Sequence, residues 1–402
     1  MAIAGEGRLA LRAVTRPSAR LKKRLAKHEW ATVAVAVGLA MVVTTLLAFV
    51  FIGSSGRVIT PDANAYYDRS FHPFEKSGDA PYIYRLLTPF LVNLLPMDHL
   101  IGFGLVNSAG FALLLFLTYY YIKRLSASKV YGLLGIAFLA SCPVFVYTLS
   151  NTCLTDSLSF VFLIAAFIGL LERNDKLYLI ALTVGVLNKE TILLTVPLYF
   201  LLALEKRSFL ISLRNSVAVA LPAVAILLAV RVYFGTGEYH SAGTIEDVLE
   251  FHSHESILRI GFLAYSTFGV LWLLFLFGLK KANDRFLRYS LVFVPLVFAQ
   301  LIIATDIARM LFIAFPVVMP IAFACLREAR ADKSRSLILP LTAFLTLIPL
   351  GGMALYYRSP GFIDPGLHNM YLDMSLLALQ AAIATMVLLF DRETLTARTL
   401  SS

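Results

Sequence analysis

The chain of 402 residues is short of charge, short of cysteine and empty of the motifs that mark many soluble enzymes. Charged residues make up 15% and hydrophobic residues 59%. A soluble domain carries about a quarter charged residues, so an ordinary hydrated surface is excluded. Three cysteines exclude a disulfide framework, although Cys142 and Cys153 fall near one membrane face and form the one pair placed to bridge. There is no Walker loop, no dinucleotide fingerprint, no Gly-x-Ser-x-Gly elbow and no Cys/His zinc pattern. Internal repeats, low-complexity segments and a separate soluble domain are also missing.

What the chain does have is long apolar runs whose polar breaks alternate in sign. One set of breaks is basic: Arg8 to Lys27, Lys123 to Lys129, Arg173 and Lys176, Lys206 to Arg214, Lys280 to Arg288, Arg327 to Arg335, and Arg392 with Arg398. The other is poor in cations and carries acids: Asp62 to Asp79, Asp156, Glu190, Glu238 to Glu255, Asp306 and Asp364. The positive-inside rule produces this alternation in a polytopic helical membrane protein. It places both termini in the cytoplasm and collects the acids on the outer face, as expected for a cell (inner) membrane protein. The net charge of +10 then faces anionic lipid headgroups, and no nucleic-acid partner is implied.

Crossing the hydrocarbon takes roughly 20 apolar residues. On that basis the fold class is all-α, with about twelve transmembrane helices (a range of about 10–13). They lie near 31–52, 98–122, 130–149, 157–171, 177–188, 190–204, 215–234, 257–279, 289–304, 307–326, 337–356 and 369–390. A basic cytoplasmic segment covers 1–30, a single transmembrane domain 31–390 and a cytoplasmic tail 391–402. The basic N-terminus resembles a signal peptide, but the run from Ala31 to Ile52 is long enough to span and reads as a retained first helix. The pair flanking Asn188-Lys189-Glu190 is too short for two full crossings. Either both helices are tilted and broken, or the triplet sits below the surface in a protein-lined cavity.

Two outer loops are long. In the first, 53–97, Leu86, Leu87, Phe90, Leu91, Leu94 and Leu95 fall on one face at helical spacing, predicting an interfacial helix ended by Pro96. The second, 235–256, pairs Thr244 with Asp247 in a capping-box pattern and reads as a lid.

Several breaks carry side chains with a chemical use. Asp62, flanked by Tyr66, Tyr67 and Asp68, is either a base for an incoming hydroxyl or the first-turn acid of a helix opened by Pro61. Arg85, beside Tyr82 and Tyr84, either holds a lipid phosphate or snorkels to anchor its helix. Asp156 caps the fourth span, or supplies a second carboxylate to orient an acceptor. Lys189 and Glu190 each cost about 2.5–3.5 kcal/mol at membrane depth. As a functional pair, Lys189 meets a phosphate and Glu190 orients it; otherwise they mark a surface turn. Asp306 and Arg309, three apart, form a structural ion pair, or Asp306 holds Arg309 as a second phosphate clamp. His252 and His254 are weak metal candidates, since an i, i+2 pair does not share a helix face. A divalent metal is unsupported otherwise, and no cofactor is expected.

These features in this order resemble a multi-spanning glycosyltransferase of the GT-C superfamily, which uses polyprenyl-phosphate sugars. The resemblance rests on Asp62 just after the first helix and the interfacial segment from Tyr82 to Pro96. Thr155-Asp156, Asn188-Lys189-Glu190-Thr191, and Asp306-Ile307-Ala308-Arg309 with Phe315-Pro316 add to it. It covers roughly the first 330 residues as an order of features. It implies that Asp62 is the catalytic base, with Asp156 beside it, and that Lys189, Arg309 and Arg85 hold the donor phosphate. Glu190, Asp306, Asp68 and Tyr66 would support them. The implied partners are a polyprenyl-phosphate-linked sugar, a hydroxyl acceptor and the bilayer. The chain departs from the superfamily in that Asp62 and Asp68 are six apart rather than adjacent, and in lacking a C-terminal soluble domain, which narrows acceptors to small glycans, lipids or glycolipids.

A transporter or lipid-linked-substrate flippase would also use many spans, a broken helix pair and buried charges. Carriers of that kind show corresponding breaks in two halves, and the 177–204 pair has no counterpart. A structural subunit of an envelope-assembly complex explains the spans but not Lys189 and Glu190.

Overall fold

The computed structural model describes residues 19–52, 60–235, 261, 264–265, 267–280, 284–303 and 306–331. Every regular element among them is helical, with no strand. The second outer loop with His252 and His254, the expected spans at 337–356 and 369–390, and the tail 391–402 lie outside the described residues.

The first helix, α1, runs Ala19–Ile52, so it begins within the basic segment, well before the expected start of the span at Ala31. Thr60 opens α2 (Pro61–Phe71): its hydroxyl accepts from the Ala63 amide, and Pro61 takes the first-turn position where no amide proton is needed. A 3₁₀ turn at Tyr82–Tyr84 and a short α3 (Leu87–Asn93) follow. Asp98 then caps α4 (His99–Ser126) through the Leu100 and Ile101 amides. The third apolar run forms two helices, α5 (Lys129–Ala140) and α6 (Pro143–Ser150), bent by 57° where Pro143 interrupts the hydrogen-bond ladder.

Next come α7 (Asp156–Glu172) and α8 (Asp175–Gly185), joined by a tight corner with Arg173 in the left-handed region at φ 55°. At this corner a Cβ on Gly169 would sit 2.8 Å from the Tyr178 backbone nitrogen, so only glycine lets the two helices approach this closely. After α8 the chain makes a 3₁₀ turn at Glu190–Thr195 and continues as α9 (Val196–Leu204). At 1.5 Å per residue α8 reaches only about 16 Å, far short of the roughly 30 Å of hydrocarbon. The break therefore falls inside the protein, and Asn188 and Lys189 are buried there.

The long α10 (Phe209–Phe234) leaves Leu210, Val217, Leu221, Leu228 and Val232 exposed, as expected of a helix facing lipid. The remaining described helices are α11 (Val270–Gly278), α12 (Arg285–Ser290), α13 (Phe293–Ala299), α14 (Ile307–Phe312) and α15 (Phe315–Ala331). Along α15, Val317, Val318, Ile321 and Ala322 are fully enclosed, so it lies in the interior of the bundle.

Four segments are long and apolar enough to cross a membrane: His28–Ala48, His99–Ser126, Phe209–Phe234 and Arg285–Ile302. The bent α5 and α6 pair makes a fifth if it counts as one span. The other apolar helices among the described residues are shorter, so the full crossings expected there from hydropathy are a few long helices and several short or broken ones.

The first loop differs from the expected continuous amphipathic helix. Arg85 breaks it, and the buried face of α3 is Thr88, Pro89 and Val92 rather than the leucines. The leucines divide: Leu86 is buried, while Leu94 is exposed. Two bonds explain the register. The Leu87 amide donates to the Leu187 carbonyl at 3.1 Å, and the Thr88 hydroxyl donates to Asn188 Oδ1 at 2.6 Å. The loop is thus tied directly to the break after α8.

Candidate functional site

The helix starts bring the acids together. Asp62 lies in the first turn of α2, Asp156 opens α7, and Asp306 caps α14 by accepting from the Arg309 amide at 3.1 Å. All three carboxylates converge on the Arg309 side chain. Its Nε and Nη2 reach Asp156 Oδ2 at 3.0 and 2.8 Å, while Nη1 donates to Asp62 Oδ2 at 3.2 Å and to Asp306 Oδ2 at 3.1 Å. Lys189 Nζ meets the other oxygen of Asp156 at 2.9 Å. Asp156 and Lys189 are almost completely enclosed, at 1% and 2% side-chain exposure, whereas Asp62 and Asp306 keep 32% and 37%.

A second group stands beside the first. Arg85 Nη1 donates to the Tyr66 hydroxyl at 2.7 Å and Nη2 contacts Glu190 Oε1 at 3.3 Å. The Tyr82 hydroxyl donates to Asp62 Oδ1 at 2.7 Å, and the Tyr66 and Tyr82 rings meet edge to face at 5.3 Å, which joins the two groups. Burial pushes the Tyr82 phenol above its ordinary value, and the Asp62 charge adds to the push. Burial also raises Tyr66, against the opposing charge of Arg85. Both phenols therefore keep their protons at neutral pH, so Tyr82 acts as a donor to Asp62. Burial works against the Arg85 charge, but Tyr66 and Glu190 more than offset it and hold the guanidinium above its usual value.

The cluster contains four carboxylates (Asp62, Asp156, Glu190, Asp306) and three cations (Arg85, Lys189, Arg309). Its buried layer is cationic around Asp156, and its accessible edge is carboxylate. This matters for the cations expected to hold a phosphate. Each of them is already engaged by a carboxylate, and Lys189 lies behind Asp156 rather than at the edge. Arg309, through Asp62 and Asp306, and Arg85, through Glu190, are the cations whose partners reach the surface.

Of the sequence-derived candidates, Asp62, Tyr66, Arg85, Asp156, Lys189, Glu190, Asp306 and Arg309 meet in this one network. Asp68 does not; it is exposed on another face of α2. Among the described residues no group of three His, Cys, Asp or Glu side chains is arranged to hold a metal. Cys142 and Cys153 are unbridged, and the Cys142 thiol donates to the Thr267 carbonyl at 2.8 Å.

Neutral residues, to which the charge pattern gave no role, position the charged ones. Asn188 donates to the Thr155 carbonyl and to Ser159 Oγ, both at 2.7 Å, which fixes the turn before α7 against the break carrying Lys189. Asn151 donates to Thr60 Oγ1 at 2.9 Å, so the residue that caps α2, two before Asp62, is itself held. Asn107 spans the Thr152 and Leu154 carbonyls beside α7. A buried asparagine beside a helix start is the available signal, because it can satisfy several backbone groups at once.

No protein-family model matches the chain, and no curated protein matches it.

Proposed function

We propose that the protein is a membrane glycosyltransferase that moves a sugar from a polyprenyl-phosphate donor to an acceptor hydroxyl on the non-cytoplasmic face of the cell membrane. One observation carries this reading. The buried Arg309 gathers Asp62, Asp156 and Asp306 from three distant parts of the chain and leaves Asp62 partly exposed. A carboxylate aimed by a guanidinium and a phenol, at the edge of a low-dielectric region, suits a general base whose reaction releases a phosphate.

The chemistry is a single displacement with inversion. The acceptor oxygen attacks the anomeric carbon as Asp62 takes its proton. The bond from that carbon to the phosphate oxygen breaks, and the electron pair leaves with the polyprenyl phosphate. Arg309 faces the growing charge, with Asp306 as the carboxylate that an incoming phosphate replaces. Asp156 and Lys189 act through Arg309 by fixing where its guanidinium stands. Exposed apolar side chains around the first loop and the head of α4 (Phe71, Phe74, Leu94, Met97, Ile101) give a polyprenyl chain a route from the bilayer.

The test uses full-length protein in nanodiscs with polyprenyl-phosphate sugars and a hydroxyl acceptor extract. Release of polyprenyl phosphate that depends on the acceptor supports the reading. Substrate movement across sealed vesicles without any bond broken would favour a carrier.

A further inference from the structure

The other end of α7 carries a second polar site. The helix is seventeen residues long, so Gly169 to Arg173 lie roughly 20–25 Å from Asp156. Here a cavity of about 630 Å³ opens between the ends of α7 and α9 and the starts of α8 and α12. Its cations are Arg173, Lys206, Arg207 and Arg285, against the carboxylates Asp175, Glu205 and Asp284, which leaves one positive charge in excess.

The carboxylates are mostly committed. Asp284 caps α12 through the Leu287 amide, and Asp175 and Arg207 stand beside the Tyr199 phenol. Glu205 differs. Its Oε2 meets Arg173 at 3.1 Å, but its Oε1 is buried and has no hydrogen-bond partner among the described residues. The side chain is only 10% exposed. A buried carboxylate oxygen without a donor is costly, so the occupant of the cavity is expected to bring an N–H or O–H to it. Lys206 and Arg285 line the cavity and are in no salt bridge with a described residue.

The walls also have an apolar side. Leu170, Leu202 and Phe286 line the cavity, and directly after Arg207 the helix α10 begins with the exposed Phe209, Leu210 and Ile211. That helix is long and apolar enough to cross a membrane. The cavity therefore offers cations for a phosphate, a buried acceptor for a donor, and an adjoining greasy face.

We propose that this cavity binds a phospholipid headgroup bearing both a phosphate diester and a hydrogen-bond donor, of the phosphoethanolamine or phosphoglycerol kind. The phosphate lies against Lys206, Arg207 and Arg285, the amine or hydroxyl donates to Glu205 Oε1, and the acyl chains run along the start of α10. A basic pocket between helix ends on the cytoplasmic side is a recognised setting for such a headgroup. Arg173 positions Glu205 and leaves its second oxygen for the lipid.

The test is thermal unfolding of the detergent-purified full chain with added lipids of one acyl composition. Phosphatidylethanolamine and phosphatidylglycerol raise the Tm, and phosphatidylcholine, which has neither N–H nor O–H on its headgroup, does not. The K206A/R207A/R285A variant unfolds as the wild type does without lipid, but needs about tenfold more lipid or greater for the same shift. Glu205→Ala removes the preference over phosphatidylcholine, and Arg173→Ala, which releases Glu205 from its position, weakens it. Equal shifts from all three lipids, or an unaltered response in the triple variant, would overturn the site. A full shift from inorganic phosphate alone would overturn its assignment to lipid.

Discussion

At the residue scale the network separates two kinds of acid. Asp62 is partly exposed and aimed by Tyr82 and Arg309, whereas Asp156 is enclosed and serves two cations. Asp62→Asn keeps the shape and one of the two hydrogen bonds that Asp62 accepts, from Tyr82 or from Arg309, but removes the base, so the transfer rate falls by about 10²–10⁴-fold while the unfolding temperature changes little. Asp156→Ala does the reverse kind of damage. It leaves Lys189 buried without a partner and takes one carboxylate from Arg309, with an expected loss of about 3–5 kcal/mol in stability. Adding Lys189→Met to that variant removes the stranded ammonium and restores part of the loss, read by thermal unfolding in detergent. Charges were the legible part of this site, because each is rare in an apolar chain and expensive at depth. Which charge meets which was not legible. The pairings span up to 247 residues in sequence, as from Asp62 to Arg309. Tyr82 and Asn188 stood beside the flagged charges without a role, since a neutral polar side chain leaves no comparable mark in composition or periodicity.

At the element scale the site exists because helices stop early. The break after α8 carries Lys189 inward, and the Thr88 to Asn188 bond ties the first loop to it. The shortness of the 177–188 and 190–204 runs left two readings, tilted broken helices or an interior polar triplet; Asn188 and Lys189 are buried, while Glu190 keeps 35% side-chain exposure. The stripe of leucines in 86–95 was less informative. A helical wheel shows that one face is apolar but not whether protein or lipid covers it, and here Arg85 and Pro89 shift the buried face to Thr88 and Val92. Close packing at the α7 and α8 corner gives a sharp test. Gly169→Ala drives a methyl into the Tyr178 backbone and is expected to cost about 1–3 kcal/mol. Gly104→Ala on α4 meets nothing within 4 Å, so it is neutral or stabilises by up to about 1 kcal/mol through helix propensity. Paired melting curves of the two variants distinguish local crowding from a general dislike of added bulk.

At the scale of the whole molecule the alternation of charge sets the two ends apart: the acid network at the head of α7, and the basic cavity at its foot. Sign alternation predicts that breaks face opposite sides, but it cannot tell a full crossing from a pair of half-length helices, so the span count was the least legible feature. Orientation is testable in intact cells. The three cysteines are buried, so background labelling by a membrane-impermeant thiol reagent is low. Glu75→Cys, on the exposed first loop, is labelled from outside, and Arg207→Cys is labelled only after the membrane is opened. The reverse pattern would invert the topology and move the acid network to the cytoplasmic face. The most direct measurement is acceptor-dependent release of polyprenyl phosphate from a panel of polyprenyl-phosphate hexoses and pentoses, by wild-type and Asp62→Asn protein side by side in nanodiscs. The account predicts release by the wild type with at least one donor and its loss in Asp62→Asn. Equal release by both proteins, or none from any donor by a correctly folded wild type, would contradict it.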